Sequence, residues 1–154
     1  METYSEQKEV QLDNLDKKII ELLSQNSKLN NKELALAIGL SVTPTFERVK
    51  RLERIGVITG YKAQINPKKI GKGLKVICQV SLKSHYKERI DEFESSVKKL
   101  NEISQAYHVT GGVDYMLLVE VSNVDAFQDF VKNRLATIPH IGQVNSSIVM
   151  SALK

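Results

Sequence analysis

Three observations in the sequence predict an α+β chain in two parts. Residues 12–55 carry three successive runs of apolar residues at helical spacing, and residues 74–153 alternate strand and helix patterns in the order β-α-β-β-α-β. The stretch between them is dominated by Lys, Gly and polar residues. The expected division is a helical domain over 1–62, a linker over 63–73 and a mixed domain over 74–154.

The first helix is expected over 12–25, where Leu12, Leu15, Ile19, Leu22 and Leu23 share one face. Asp13 is a suitable N-cap, and Asp16 suits the positive first turn. The polar stretch 26–30 ends it. Asn31 can cap a second helix over 32–38, with Leu34, Ala35 and Ile38 inward and Gly39 as its stop. Ser41 or Thr43 can cap a third helix running to Ile55, and Pro44 is tolerated in its first turn because the missing N–H needs no partner there. Phe46, Val49 and Leu52 make its apolar stripe. Thr43, Pro44, Glu47, Arg51 and Arg54 make the opposite face, flanked by Arg48 and Lys50.

Two helices joined by a short glycine-containing turn, the second with an exposed basic face, form a helix-turn-helix. Such a face can enter a major groove about 12 Å wide and meet base edges and phosphates. The candidate DNA contacts are Ser41, Thr43, Pro44, Thr45, Glu47, Arg48, Lys50, Arg51 and Arg54. Arg48, at the edge of the polar face, is expected on a phosphate or in an intramolecular contact, and Arg51 or Arg54 is expected on guanine. That reading requires the arginines to be available to DNA rather than engaged within the protein. Residues 56–61 (Gly-Val-Ile-Thr-Gly-Tyr) are a short β-prone run placed where a winged helix-turn-helix carries its wing.

In the second part, strands are expected over 74–82, 103–109, 115–121 and 144–153, with helices over 88–100 and 125–135. This order describes a ferredoxin-like sandwich, a four-stranded antiparallel sheet with two helices on one face. An RNA-recognition domain shares the topology but needs exposed aromatics on its central strands, and here only Tyr115 is offered. A partly apolar open face points instead to burial against a second copy.

The net charge of +4 is modest, but Lys62, Lys68, Lys69, Lys72 and Lys75 form a tract without acids, which reads either as a polyanion-attracting patch or as a solvated linker. One cysteine, Cys78, precludes an internal disulfide and reads as core. His85, His108 and His140 stand in no recognised zinc spacing, and no phosphate-binding loop, nucleophile elbow or dinucleotide fingerprint occurs. The N-terminal residues lack an apolar signal region, and no run is long enough to span a membrane. A cytoplasmic, non-enzymatic protein without metal or cofactor is expected.

The chain resembles the Lrp/AsnC (feast/famine) family of bacterial and archaeal transcription regulators. The matching runs are Leu12-Asp13-Asn14-Leu15-Asp16, Glu33-Leu34-Ala35, Gly39-Leu40-Ser41, Arg48-Val49-Lys50-Arg51-Leu52-Glu53, Gly56-Val57-Ile58 with Tyr61, and Val109-Thr110-Gly111-Gly112-Val113-Asp114-Tyr115. The resemblance implies a winged helix-turn-helix joined by a β-strand linker to a ligand-sensing domain. It further implies a homodimer, commonly assembled to an octamer, and an amino-acid effector bound between dimers. The positions matching the effector pocket are Gly111, Gly112, Val113, Asp114 and Tyr115, with Ser146 on the last strand. Val113 stands where the family often has an aromatic, and Val144 where a hydroxyl residue is expected. Physically, a Gly-Gly turn offers backbone N–H groups to a carboxylate, Asp114 can pair with an ammonium and Ser146 can add a hydroxyl. A hairpin in which Asp114 merely satisfies the turn backbone accounts for the same residues without a ligand. The functional expectation is a sequence-specific transcriptional regulator. The alternative is an amino-acid-sensing or RNA-binding module that does not bind DNA.

Overall fold

The computed structural model describes residues 11–151, whose contacts divide the chain between Gln64 and Ile65 into two compact units. In the first unit, α1 spans Asn14–Gln25, α2 Asn31–Ile38 and α3 Val42–Arg54. Asp13 caps α1 in a reciprocal capping box: its Oδ1 accepts the Asp16 N–H at 2.8 Å, and Asp16 Oδ2 accepts the Asp13 N–H at 3.2 Å. The second helix starts one residue earlier than Asn31 as cap would require. Asn30 takes that place because Glu33, three residues on, can return a bond to the cap N–H at 2.8 Å, whereas Asn31 would have Leu34 there. Gly39 ends α2 with φ of +74°, a conformation that favours glycine. Of the two possible caps of α3, Ser41 holds the position, without a side-chain bond to the helix end. Ile19, Leu23, Leu34, Ile38, Val49 and Leu52 form the core of this unit.

Two expectations for this unit are corrected. Phe46 is 39% exposed, and fully buried Thr45 joins Val49 and Leu52 on the packed face. The run 56–61 forms no strand. The chain instead turns back over the end of α3, where the N–H groups of Val57 and Ile58 both donate to the Leu52 carbonyl, at 3.0 and 3.1 Å. Those donors satisfy a helix end and so are not free for a ladder, and among the described residues the unit supplies no second strand to pair with.

The second unit opens with a 3₁₀ turn, Pro67–Ile70, capped by Asn66. It continues through β1 (Leu74–Leu82), α4 (Lys87–Val97), β2 (Ile103–His108), β3 (Tyr115–Val121), α5 (Val124–Phe130) with one π-helical turn (Val131–Leu135), and β4 (Ile141–Ile148). The strands lie in the order β2-β3-β1-β4, all antiparallel, which is the expected ferredoxin-like topology. The last strand starts three residues ahead of the expected position and ends at Ile148, so residues 149–151, expected within it, are irregular; the expected end, Leu153, lies outside the described residues. A Cβ on Gly142 would sit 3.0 Å from the Ser81 carbonyl oxygen, so the missing side chain lets β4 approach β1 closely there.

Alternate residues of the two central strands (Val76, Cys78, Val80 and Leu82; Tyr115, Leu117, Val119 and Val121) are buried with Phe93, Val97, Phe130 and Leu135 in one core. The helices therefore cover one face only. On the other, Ile77, Met116 and Leu118 remain half-buried, with Gln79 and Tyr107 exposed. Among the described residues no helix is long and apolar enough to cross a membrane.

Leu52→Ala, which empties a fully buried position of the first unit, should cost about 2–5 kcal/mol. Leu36→Ala, at a side chain 87% exposed, should cost less than about 0.5 kcal/mol. Urea melts of the two variants read the difference directly; equal midpoints would contradict this core.

Candidate nucleic-acid interface and effector loop

The 3.6-residue period of α3 sorts its side chains into four rows. Thr45, Val49 and Leu52 face the core. Thr45 is therefore removed from the expected DNA contacts: its Oγ1 donates to the Ser41 carbonyl at 2.9 Å inside the protein. Thr43, Glu47, Lys50 and Arg54, at i, i+4, i+7 and i+11, form the outermost row, and all four are exposed.

The remaining two rows hold Phe46 with Glu53 on one side and Arg48 with Arg51 on the other, and both are engaged. On one flank, Lys50 leans to Glu53 at 2.9 Å with its ammonium 5.8 Å from the centre of the Phe46 ring. Glu53 also accepts the Tyr61 hydroxyl at 2.9 Å, so its carboxyl is held below the ordinary range, first by Lys50 and then by Tyr61. On the other flank, Arg48 and Arg51 meet the start of α1. Arg48 Nη1 lies 2.7 Å from both Asp13 Oδ2 and Asp16 Oδ1, and Arg51 Nη1 lies 2.8 Å from Asp16 Oδ2. Arg51 Nη2 adds a bond to the Gln11 carbonyl at 3.1 Å. The Asp13 carboxyl is held low, first by the Asp16 backbone N–H and then by Arg48.

These contacts correct one assignment and leave another standing. Arg48 has the intramolecular role expected at the edge of the face. Arg51, one of the two residues expected on guanine, is instead fixed to Asp16, so of the three arginines only Arg54 has no ion pair or hydrogen bond among the described residues. The groove beside them is shallow and open, and Pro44, Glu47 and Arg54 line it together with the ion-paired residues. Sequence reading missed the network because its members lie 32 to 35 residues apart. Its only local trace is the Asp-x-x-Asp capping pattern.

In the second unit the loop 109–115 closes the β2–β3 hairpin through Val109 N–H to the Asp114 carbonyl at 2.9 Å, with Gly111 at φ of +121°. Gly111 and Gly112 are exposed and Val113 is half-buried. Asp114 is already partnered: Oδ2 accepts the Leu82 N–H at 2.7 Å, and Oδ1 lies 2.8 Å from His85 Nε2. The backbone donor first, and His85 after desolvation, hold this carboxyl below its usual range. Tyr115, expected at a ligand, is a core side chain. It is 3% exposed, stacks on His108, contacts Phe93 and donates its hydroxyl to Glu94 at 3.0 Å. Burial foremost, with Glu94, pushes its phenol far above the usual range.

Ser146 does not join the loop within one chain. It lies beside Cys78 on β1, at 3.5 Å, whereas Tyr115 flanks β1 at Val80 from the opposite side. Two strand spacings and a shift of two residues separate them by on the order of 10 Å.

Asp114→Asn keeps an acceptor for Leu82 but removes the charge facing His85. Because the folded-state pKa is depressed, the charge contributes stability above the unfolded value near 3.8 and loses it as pH falls through the folded value. The wild type should therefore exceed the variant in melting temperature at neutral pH, with the gap closing below about pH 4. A gap independent of pH would refute this role of the charge.

Comparison with known proteins places both units. Residues 12–59 match a family described as winged helix-turn-helix DNA-binding, and residues 75–154 match the Lrp/AsnC ligand binding domain. The leucine-responsive regulatory protein of Escherichia coli K12 is 34% identical over 143 residues, covering 93% of this chain and 87% of its own. The transcriptional regulatory protein DoeX of Halomonas elongata is 37% identical over 145 residues, covering 94% and 92%. A transcriptional regulator of Neisseria meningitidis, solved in complex with L-Met, superimposes with a TM-score of 0.90 at 32% identity, over 94% of this chain and 93% of that one. With both units matched in order and relatives aligned along nearly the whole length, the chain belongs to the Lrp/AsnC family of DNA-binding transcriptional regulators.

Proposed function

We propose that this regulator reads DNA with the outermost row of α3. Thr43, Glu47, Lys50 and Arg54 meet base edges, and Arg48 and Arg51 meet phosphates from the flank. The observation that carries the assignment is the division of α3 itself. Arg54 is exposed and ends the outward row, while Arg48 and Arg51 are anchored to Asp16. An anchored guanidinium still has spare N–H donors in its planar fork, which suits a phosphate better than a search among base edges. Ser41 and Pro44, exposed at the start of the helix, complete the contacts nearest the backbone.

The helix-free sheet face favours a homodimer, since Ile77, Met116 and Leu118 have no cover of their own. Two-fold pairing would set two recognition helices against half-sites about one DNA turn apart, and assembly of four dimers would make an octamer.

The effector reading is an amino acid at the 111–114 loop. The ligand-binding description of the matched domain and the L-Met complex of the Neisseria relative support it. Its carboxylate would meet the exposed Gly111–Gly112 backbone, and its ammonium would share Asp114 with His85. Tyr115 supports the loop from beneath rather than touching the ligand.

Arg54→Ala should weaken binding to a duplex selected by the wild type by about 1–3 kcal/mol and relax the choice of one base pair. Selection from a random pool followed by gel shift measures both; an unchanged selected sequence would sink the assignment. Log affinity should fall with log salt at about −0.9 per neutralised phosphate, so a flat response rules out the phosphate contacts. For the effector, a thermal-shift screen of amino acids should find at least one that raises the melting point as RT ln(1 + [L]/Kd). Loss of that shift in Gly112→Val, with DNA binding intact, would assign it to the loop, and an unaltered shift would remove the loop from the site.

A further inference from the structure

Asp16 is the most buried charged side chain of the first unit, 1% exposed, and both of its oxygens are engaged by α3. Oδ1 faces Arg48 at 2.7 Å; Oδ2 faces Arg51 at 2.8 Å and also accepts the Asp13 N–H. One carboxylate therefore closes the cap of α1 and grips two successive turns of α3. Freeing either arginine would take from a buried carboxylate one of its two charged partners, which opposes a swing outward to search for a base. Both remain partly exposed at the edge of the groove that Pro44, Glu47 and Arg54 also line.

The same grip constrains how α3 is rotated. Apolar contacts through Val49 and Leu52 tolerate small rotations because dispersion is not directional. Two short charge-assisted bonds at i and i+3 do not, since their strength depends on distance and angle. A rotation of one residue, about 100°, would carry the 43/47/50/54 row off the outward face.

We propose that Asp16 is a positioning residue for DNA recognition. Its carboxylate holds Arg48 and Arg51 as fixed phosphate donors and thereby sets the rotation of α3 that presents Thr43, Glu47, Lys50 and Arg54 to the bases. This rests on the DNA-reading assignment above and adds a residue that touches no DNA.

The test compares affinities for two duplexes, one selected from a random pool by the wild type and one of the same composition shuffled. Asp16→Asn keeps the side chain's shape and an acceptor for the Asp13 N–H, but withdraws the charge. Discrimination between the duplexes should drop at least tenfold, while affinity for the shuffled duplex holds or rises because a negative charge has left the groove. A purely structural role lowers the folded fraction and weakens both duplexes by one factor; an unchanged ratio overturns the proposal. Should Asp16→Asn fail to fold by circular dichroism, Arg48→Lys carries the test. It retains the charge but not the planar fork, and should lose at least threefold in the ratio of the two affinities, whatever uniform loss its phosphate contact brings to both. A folded Arg48→Lys with full discrimination overturns the proposal. A wild type that never separates the two duplexes overturns the DNA-reading assignment itself, so the two failures are distinguishable.

Discussion

The recognition helix depends on one buried carboxylate. Asp16 stands where α1 begins, yet its partners are on α3, and the resulting Asp13–Asp16–Arg48–Arg51 network joins the first and third helices of a domain too small for a large core. Burying an ion pair carries a desolvation cost that often cancels its attraction, so net stability is a poor explanation for keeping one. Direction is a better one. Greasy contacts hold helices together without specifying rotation, while hydrogen-bonded charges of fixed geometry specify it. A helix that must present a particular row to a groove needs that directional element.

The consequence for chemistry is a division of labour among cations that composition alone presents as equivalent. Arg48 and Arg51 are anchored, Lys50 rests against Phe46 and Glu53, and Arg54 has an exposed position at the end of the outward row. Anchored guanidinium groups enter a complex with little conformational freedom left to lose, which suits phosphate contacts that fix register. Mobile or exposed groups on the outward row suit base edges.

In the second unit the same logic separates the loop from its foundation. Asp114 ties the hairpin to β1 through Leu82, and Tyr115 sinks into the core against Phe93 and His108. The exposed glycines are thus carried on a fixed base, and His85 holds Asp114 from the outside. The sheet beneath has helices on only one face, leaving Ile77, Met116 and Leu118 half-buried on the other.

Local rules made much of this legible. The spacing of apolar residues marked the three helices; the Asp13 cap and Gly39 stop followed from turn chemistry; strand alternation gave β1 and β3 to the residue. The motif runs located the helix-turn-helix and the glycine loop because each is contiguous in the chain. What contiguity could not reveal was which side chains were already spoken for. Thr45 and Phe46 exchange places because packing against α1 and α2 sets the buried face, and one residue of rotation separates them. The expected wing strand gave way to a bonded turn on the Leu52 carbonyl, since a strand exists only with a partner. Gly142 is the extra residue of a bulge in β4, between the partners of Leu82 and Ser81, where a side chain would crowd the Ser81 carbonyl. By itself the sequence determined the elements, their order and the charge of the reading helix, because those depend on neighbours within a few residues. Only the tertiary structure decided that Arg51 is anchored, Arg54 exposed and Tyr115 buried, because those outcomes depend on distances between residues far apart in the chain.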